Sequence, residues 1–592
     1  MQGRGGYDAD ARALFARFTT PPTSARKKII NDLIVALKGA GVWSKLDILY
    51  VMAAHDAQAA RQNWITDACN LSEVNAPSFT IDEGYSTDVT GSKYLTTNYN
   101  PGDGGEHHYK LNDAHLGIWS KTSGSLANAV DLGARVSSTN SRATIITRSA
   151  GNAFDASINQ NAAFNAATIN DGSGHFVGVR RGSGAVESYK NGTSIATGSN
   201  ASTAIPNLEW LIGACNQAGT PTLFSTRQYS FAHAGAQLSG TEVDAIYDAF
   251  STFLDAINPF GAEFDDFGFS FSGADQHRGG VCAPNGKSFM IRREYPIFTI
   301  VRQDGSVDQK HMGLEGVTLN TSGGCVGADG KIYSGPRDSE FVLIIDPEIE
   351  EARTETFGGL IPAGQNKWTD AVLGDDGIVY CIPSIAQEIL RIDTNGPTPT
   401  ASMSNMGASW DPGGDTTGHI MWVSGLRVPD GRIFCTPYNA SSVLIIDPAA
   451  GTAEIETFGL TFGGVGTNLW TGAALGDDGL MYCPPRSGGD ILVVDPVNMT
   501  AFRTDYGLNL SGNDMWARAV NLGNGWIVAL PSRSDSALAI NTSEQRARLI
   551  PVAGISALTD PAFIGGVRHS NGKVYCPPRF AEKMMILTPR AT

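Results

Sequence analysis

The C-terminal part of the chain contains a sevenfold internal repeat, and this repeat constrains the fold more strongly than any other feature. An Asp-Gly or Asn-Gly turn recurs at spacings of 44 to 54 residues, with its glycine at positions 286, 330, 377, 431, 479, 525 and 572. Six of the seven glycines are followed three positions later by an aromatic residue, and six are followed six positions later by a proline. An apolar run then ends at Asp or Asn sixteen positions after five of the glycines. Units of this kind predict four antiparallel strands each, and seven of them predict a seven-bladed β-propeller over residues 263–592.

The ends of the repeat indicate how the ring of blades closes. The last copy stops at Met584-Met-Ile-Leu-Thr-Pro, one strand short of the others. The segment Phe267–Ser272, just before the first copy, has the composition of a fourth strand. We therefore expect this segment to complete the last blade, because pairing it there removes an exposed sheet edge.

Residues 63–262 have a different composition, rich in Ser, Thr, Asn, Gly and Ala, with short alternating runs between turn signals. This pattern is typical of an antiparallel β-sandwich. One hairpin is nearly explicit, because Asn191-Gly192 separates two alternating runs. A capping box formed by Ser239 and Glu242 then predicts a helix with a periodic apolar stripe.

Residues 1–62 predict a small helical region of three amphipathic helices. The first begins after Asp8, the second carries the stripe from Ile29 to Leu37, and the third follows Ser44 with Leu46, Leu49 and Val51. Three such helices need a neighbour to cover their stripes. Two interpretations remain open, a docking module for another protein and a helical cap on the next domain.

Several separated blocks carry a resemblance to known families. The order of strand, Asn-Gly turn, strand, Ile-Gly-Ala, strand and Leu-Ser-x-x-Glu helix resembles the laminin-G/concanavalin-like jelly roll. The segments Leu14–Pro22, Gly41–Asp47 and His115–Trp119 are similar to a module of bacteriophage and prophage tail proteins, over roughly residues 8 to 256. The repeat is similar to YVTN and NHL propellers. These resemblances imply a virion surface protein with a jelly roll and a propeller, often facing carbohydrate, and they supply no catalytic residue.

Charge and motif content exclude several classes of function. The net charge is −16, which argues against a non-specific nucleic-acid or membrane partner. The N-terminus lacks the apolar segment of a secretion signal, so we expect assembly in the host cytoplasm. Four of the eight cysteines, Cys381, Cys435, Cys483 and Cys576, share one position of the repeat and are expected to be small buried apolar residues. No catalytic, metal or cofactor motif is present, and Glu106-His107-His108 and the Asp pairs of the turns are better explained as ordinary strand and turn residues.

The repeat also predicts where a ligand would bind. Two sets of residues flank the first hairpin at the end opposite its turn, nine positions before and seven positions after each turn glycine. Tryptophans in the first set and arginines in the second would surround one mouth of the central channel, where they would stack on sugar rings and bind acidic groups. The alternative is structural, with tryptophans wedged between blades and arginines tying loops together. The predicted glycan-binding residues are Trp368, Trp422, Trp470, Trp516, Arg293, Arg337, Arg486 and Arg579.

Together these features predict a phage virion protein, an exposed tail fibre, spike or receptor-binding adhesin that contacts host surface polysaccharide. We expect a homotrimer that attaches to other virion proteins through its N-terminal region, with no cofactor. One alternative is a propeller depolymerase or glycosidase, which requires a pair of carboxylates at the channel mouth. The other is a capsid decoration protein without a ligand, whose channel mouth would be covered by neighbouring subunits.

Overall fold

The computed structural model describes residues 6–90, 92–137, 139–161, 165–271, 277–292, 296–410, 420–462, 468–552 and 561–590. The chain divides into two compact units, residues 1–257 and 258–591, and both consist mainly of β-strands. The division lies close to the predicted boundary at 262, whereas the predicted boundary at 62 falls inside the first unit. Within the described ranges, no helix has the length and apolar character needed to cross a membrane.

The helices of the first unit begin where the sequence offers side-chain caps. Thr23 Oγ1 accepts a hydrogen bond from the Arg26 amide at 3.1 Å, which starts the second helix. The predicted capping box is confirmed, since Ser239 N donates to Glu242 Oε2 at 2.7 Å and Glu242 N donates to Ser239 Oγ at 3.2 Å. The α-helices in the described residues are α1 (Ala9–Phe15), α2 (Ser24–Gly39), α3 (Ala57–Ala60) and α4 (Gly240–Ile257).

The predicted third helix is wrong, because its residues form a strand. Leu46–Val51 pairs antiparallel with Gln228–Gly235 and is buried on both faces. Over six residues, a strand buried on both faces and an apolar helix cannot be told apart by periodicity. Since Ile30 and Leu37 of α2 pack into the same apolar core as this strand, the predicted docking stripe is covered within the first unit.

Two sheets pack face to face in the first unit. The rings of Phe154 and Phe176, one from each sheet, lie 5.0 Å apart in the shared core. The predicted hairpin is confirmed, with Asn191 at φ 49° and Gly192 at φ 79° in its turn. The strands are β1 (Leu46–Val51), β2 (Ser72–Val74), β3 (Ser78–Thr80), β4 (Gly84–Ser86), β5 (Tyr94–Thr96), β6 (Ala114–Ser120), β7 (Leu132–Ser137), β8 (Asn140–Ile146), β9 (Ala153–Gln160), β10 (Asn165–Thr168), β11 (Gly174–Gly182), β12 (Ala185–Lys190), β13 (Thr193–Gly198), β14 (Leu211–Ile212), β15 (Cys215–Gln217), β16 (Thr220–Thr222) and β17 (Gln228–Gly235).

The strand order shows that neighbours in the sheets are often distant in the chain. One sheet has the order β13-β12-β11-β6-β17-β4-β3, and β1 also pairs with β17. The other has the order β10-β9-β8-β7-β14-β5-β2, and β15 pairs with β7 and β16.

The second unit is a seven-bladed β-propeller, as the repeat predicts. Its described residues form seven four-stranded antiparallel sheets, here called blades 1 to 7. Blades 1 to 6 comprise β19–β22 (His277–Cys282, Ser288–Arg292, Phe298–Val301, Val307–Lys310), β23–β26 (Ser322–Val326, Ile332–Gly335, Val342–Asp346, Glu351–Glu355), β27–β30 (Trp368–Leu373, Ile378–Pro383, Ile389–Asp393, Thr400–Ser404), β31–β34 (Trp422–Arg427, Ile433–Pro437, Val443–Asp447, Thr452–Glu456), β35–β38 (Ala474–Leu475, Met481–Cys483, Ile491–Asp495, Thr500–Thr504) and β39–β42 (Trp516–Asn521, Trp526–Pro531, Ser536–Asn541, Arg546–Pro551). Blade 7 comprises β43–β45 (Val567–Arg568, Val574–Cys576, Met584–Pro589) and β18 (Phe260–Asp265).

The strand that completes blade 7 is not the predicted one. Phe260–Asp265 pairs with Met584–Pro589 in continuous antiparallel register. The predicted segment Phe267–Ser272 follows this strand instead, and Phe271 packs into a core shared by blades 1 and 7. Both segments combine phenylalanines with small or polar residues, so composition alone cannot choose between them. Ser272 lies outside the described residues.

The turn of the repeat has a consistent physical basis. All seven turn glycines adopt φ between 77° and 92°, a region that side chains disfavour. The acidic residue before the glycine also anchors the aromatic residue after it, since Tyr380 Oη donates to Asp376 Oδ2 and Tyr482 Oη donates to Asp478 Oδ2, both at 2.7 Å. The Asp pairs of these turns therefore have the structural role that the sequence indicates.

Candidate functional site

The four predicted tryptophans are structural residues in this fold. None is more than 2% exposed, and each packs between adjacent blades. Each indole Nε1 donates to a backbone carbonyl twenty positions later, at the start of the third strand of the same blade. A ring without an exposed face cannot stack on a sugar, so the predicted role is corrected to the structural alternative. The pairs are Trp368 to Glu388 at 3.0 Å, and Trp422 to Ser442, Trp470 to Asp490 and Trp516 to Ser536 at 2.9 Å.

The residue after each tryptophan faces the propeller axis instead. On a regular strand successive side chains alternate between the two faces, but a bulge interrupts this alternation and can turn the residues after the tryptophan toward the axis. The ladder shifts register just after Trp368, Trp422 and Trp516, and such bulges redirect neighbouring side chains. The axis-facing residues, eight positions before the turn glycines, are Ser322, Thr369, Val423, Thr471, Ala517 and Ile564.

These residues surround a cavity of about 250 Å³ on the propeller axis. Its wall also contains residues that lie seven positions after the turn glycine in their blades, which is the second predicted set. The structure thus brings three of the four predicted arginines into one cavity, while the fourth, Arg293, lies outside the described residues. The wall residues at this repeat position are Arg337, Tyr438, Arg486 and Arg579.

Two of the cavity arginines, Arg486 and Arg337, are held by neighbouring groups. Arg486 pairs with Asp514, and its guanidinium lies 5.1 Å from the centroid of the Tyr438 ring. Arg337 contacts the side-chain oxygen of Asn366, and its guanidinium approaches Asp338 at 4.0 Å. These contacts orient the guanidinium groups before any ligand arrives, which lowers the entropic cost of binding.

The electrostatic environment of Tyr438 shows that these charges converge. Burial raises the pKa of Tyr438, and Asp514 adds to the rise, while Arg486, Arg579 and Arg337 oppose it. The three guanidinium groups therefore lie within electrostatic range of one hydroxyl. This arrangement can bind an anionic group by several charge-assisted hydrogen bonds.

Sequence reasoning missed a fourth arginine in the cavity, Arg518. It lies on β39, seven positions before the turn glycine of blade 6, and lines the same cavity. A signal was present in the repeat, because Asp370 and Arg518 are the only charged residues at this position among seven copies. The position was overlooked because neither residue conforms to the repeat.

The two histidines of the segment Glu106-His107-His108, for which the sequence favours an ordinary structural role, have separate partners. His107 contacts Asp103 at 2.8 Å, and His108 Nδ1 contacts Asp47 at 2.9 Å. In the part of the chain that the structure describes, no three His, Cys, Asp or Glu side chains form a group that could hold a metal ion. Likewise, no Asp or Glu is among the described residues that line the axial cavity.

Comparisons with known proteins do not assign this chain to a family. No family model matches the chain, and no curated protein matches it. A structure of streptogramin B lyase is 13% identical, with a TM-score of 0.44, and the match covers 56% of this chain and 98% of that one. A catalytically inactive virginiamycin B lyase from Staphylococcus aureus is 11% identical, with a TM-score of 0.42 and coverage of 56% and 99%. Hydrazine synthase from Kuenenia stuttgartiensis is 12% identical, with a TM-score of 0.40 and coverage of 54% and 97%.

Proposed function

We propose that this chain is a bacteriophage virion protein, exposed on a tail fibre or spike, whose propeller binds acidic glycan of the host surface. The observation that carries the binding proposal is the convergence of Arg337, Arg486, Arg518 and Arg579 on one axial cavity. Planar guanidinium groups bind carboxylates, sulfates or phosphates at two points each, and the Tyr438 ring adds an apolar surface to the wall. The virion assignment rests on the resemblance of residues 8 to 256 to a module of phage tail proteins.

We further infer that the two packed sheets of the first unit are a laminin-G/concanavalin-like jelly roll. Their mainly antiparallel pairing, from which the parallel pair of β15 and β7 departs, and the C-terminal helix α4 support this inference. In this proposal the first unit is the body of a homotrimer and attaches to other virion proteins through the exposed surface of its N-terminal region. The assembly takes place in the host cytoplasm and involves neither nucleic acid nor membrane insertion.

The described lining favours an adhesin over a depolymerase. Glycoside hydrolysis by the usual route needs two carboxyl groups about 5 to 10 Å apart beside the scissile bond. The aspartates nearest to the cavity arginines are engaged by them, since Asp370 pairs with Arg518 and Asp514 pairs with Arg486. Binding without cleavage is therefore the activity that these residues support best.

The test uses the full chain and purified host capsular polysaccharide, with binding and chain length measured separately. We expect binding that weakens as salt is raised, no shortening of the polymer, and a loss of about tenfold or more in affinity for Arg579→Ala. The control is Arg353→Ala, which removes the same charge from the exposed outer strand of blade 2.

Other outcomes would replace the proposal. Shortening of the polymer would establish the depolymerase alternative. Failure to bind any acidic polysaccharide from the host would favour a decoration protein without a ligand. Equal losses of affinity in Arg579→Ala and Arg353→Ala would show that the binding site does not lie in the axial cavity.

A further inference from the structure

An ion pair crosses the propeller axis at the cavity. Arg518 Nη2, from blade 6, lies 2.5 Å from Asp370 Oδ2, from blade 3. In a ring of seven, two blades that are three positions apart have the largest possible separation, so this contact spans the axis. Asp370 is buried, whereas the Arg518 side chain is 26% exposed and lines the cavity.

The rest of the ring makes room for this pair. At the same repeat position the other five blades have glycine or serine, namely Gly279, Gly323, Ser424, Gly472 and Gly565. A β-carbon on Gly323 would overlap Asp370, and one on Gly472 would overlap Arg518. Gly323 also adopts φ 63°, a region that side chains disfavour, whereas Gly472 has no positive φ and is not part of the turn. The volume that the ion pair occupies therefore explains Gly472 and adds to the backbone requirement for glycine at position 323.

The ion pair crosses the axis beside the cavity, and the backbones of Gly323 and Gly472 pack closely against it, so the pair obstructs the channel there. A closed channel admits the end of a polymer but does not let the chain pass through. The volume of about 250 Å³ is below the 300 to 1,000 Å³ typical of sites for drug-sized ligands. The cavity therefore suits one small group rather than a run of sugar residues.

We infer that the axial cavity binds the anionic sugar at the end of a glycan chain, with Arg518 as the residue that contacts its charged group. Asp370 is the positioning residue, because it fixes the Arg518 side chain across the axis. This inference rests on the proposed function and narrows it, since an internal acidic sugar would have neighbours on both sides that the closed channel cannot accommodate.

The test compares ligands that carry the acidic sugar at the chain end with ligands that carry it at an internal position. The probes are neutral tetrasaccharides extended at the non-reducing end by one glucuronic, galacturonic or mannuronic acid, and the same sugars with the acid at an internal position. Parallel probes carry a terminal sulfate ester or phosphate monoester, which distinguishes the chemical source of the charge. Affinity for the full chain is measured by titration calorimetry, and we expect at least one end-labelled probe to bind about tenfold or more tightly than its internal isomer.

Variants assign the contact to Arg518. Arg518→Gln is expected to lose about tenfold or more in affinity for the end-labelled probe, because a charged donor is replaced by a neutral one. Asp370→Asn is expected to bind the probe more tightly, by about threefold or more, since the guanidinium no longer shares its charge with a carboxylate. The double variant Arg518→Gln/Asp370→Asn keeps a neutral hydrogen-bonding pair across the axis, and it is used if the single Arg518 variant does not fold. Arg353→Gln is the matched control.

Each outcome decides between the two proposals. Equal affinity for terminal and internal acids overturns the chain-end inference and leaves the acidic-glycan proposal standing. An unchanged affinity in both Asp370→Asn and the folded Arg518 variants shows that Arg518 is a structural residue only. Absence of binding to all acidic probes and to host polysaccharide overturns both proposals.

Discussion

Three buried histidines of the first unit form a hydrogen-bonded series, and its geometry determines which ring nitrogen carries a proton. His233 Nδ1 lies 3.0 Å from His115 Nε2, and His233 Nε2 lies 2.8 Å from His175 Nε2. His115 Nδ1 faces the carbonyl oxygen of Ala236, which can only accept a hydrogen bond. His115 Nδ1 therefore carries a proton. His233 Nδ1 then donates to His115 Nε2, and His175 Nε2 donates to His233 Nε2, with all three rings neutral.

Burial keeps these rings neutral. It lowers the pKa of His115 to about 4 and that of His175 to about 3, and it lowers the pKa of His233 well below its ordinary value. An unfolded chain takes up these protons near pH 6.5, whereas the folded state does not. Below pH 6.5 the unfolded state thus binds more protons, and the free energy of unfolding falls as the pH falls.

We expect the first unit to lose stability between pH 6.5 and about 4, by about 1.4 kcal/mol per pH unit for each fully titrating histidine. Hydrogen exchange of β6, β11 and β17 as a function of pH measures this for the first unit alone. His175→Phe should reduce the slope of the free energy of unfolding against pH by the contribution of one histidine. His108→Gln is the control, because the His108 side chain is 56% exposed. A slope that does not change in His175→Phe would contradict the neutral chain.

At the scale of the repeated element, the tryptophan at the start of a blade joins its first strand to its third. The indole nitrogen of Trp422 donates to the Ser442 carbonyl, and both residues are buried. The same bond twenty positions apart in four blades explains why the residue type recurs without any ligand. The recurrence of tryptophan at this position is thus explained by its structural role in each blade.

We expect Trp422→Phe to lower the free energy of unfolding of the propeller by about 1 to 3 kcal/mol, since the Ser442 carbonyl is left buried without its donor. Trp410→Phe is the matched control, because Trp410 is only partly buried and its indole contact with Ala386 is long, at 3.4 Å. Urea unfolding measures the free energy of unfolding of both variants. Retention of folding with a specific loss of polysaccharide binding in Trp422→Phe would instead support the stacking role.

At the scale of the whole propeller, one strand from the beginning of the unit closes the sheet at its end. The Arg590 amide donates to the Pro259 carbonyl at 2.9 Å, next to the ladder between β18 and β45. Hydrogen-bonded pairs alternate along an antiparallel ladder, so the Glu263 amide points toward β45 and the Ala262 amide points away.

We expect Glu263→Pro to destabilise the propeller by about 1 to 3 kcal/mol more than Ala262→Pro, because only the first removes an amide that bonds to β45. Proline at either site imposes the same backbone restriction, which makes the second variant a matched control. Limited proteolysis and urea unfolding of the full chain measure the difference. Equal effects would show that this strand does not hold the ring closed.

The sequence alone determines the propeller, the number of its blades and the spacing of their turns. A turn that needs glycine at positive φ, an Asp–Tyr contact across it and an apolar third strand are local requirements, so they repeat visibly at Gly377 and Gly479. Arg337, Arg486 and Arg579 were found because they share one position of that repeat and the repeat places them on one rim. The segment Leu46–Val51 was predicted to be helical because the partner that makes it a strand, Gln228–Gly235, lies far along the chain.

Only the tertiary structure decided which side chains face the axis. A bulge after the tryptophan exchanges the two faces of the first strand, and pairing register is not visible in a single strand. The repeat shows two charged residues at one position, Asp370 and Arg518, but their contact joins blades on opposite sides of the ring, so the sequence does not show that they meet. The choice of Phe260–Asp265 over Phe267–Ser272 likewise depended on which segment reaches the free edge of β45. Local chemistry fixes what recurs in every blade, whereas contacts across the axis and between the ends of the unit exist only once the ring has closed.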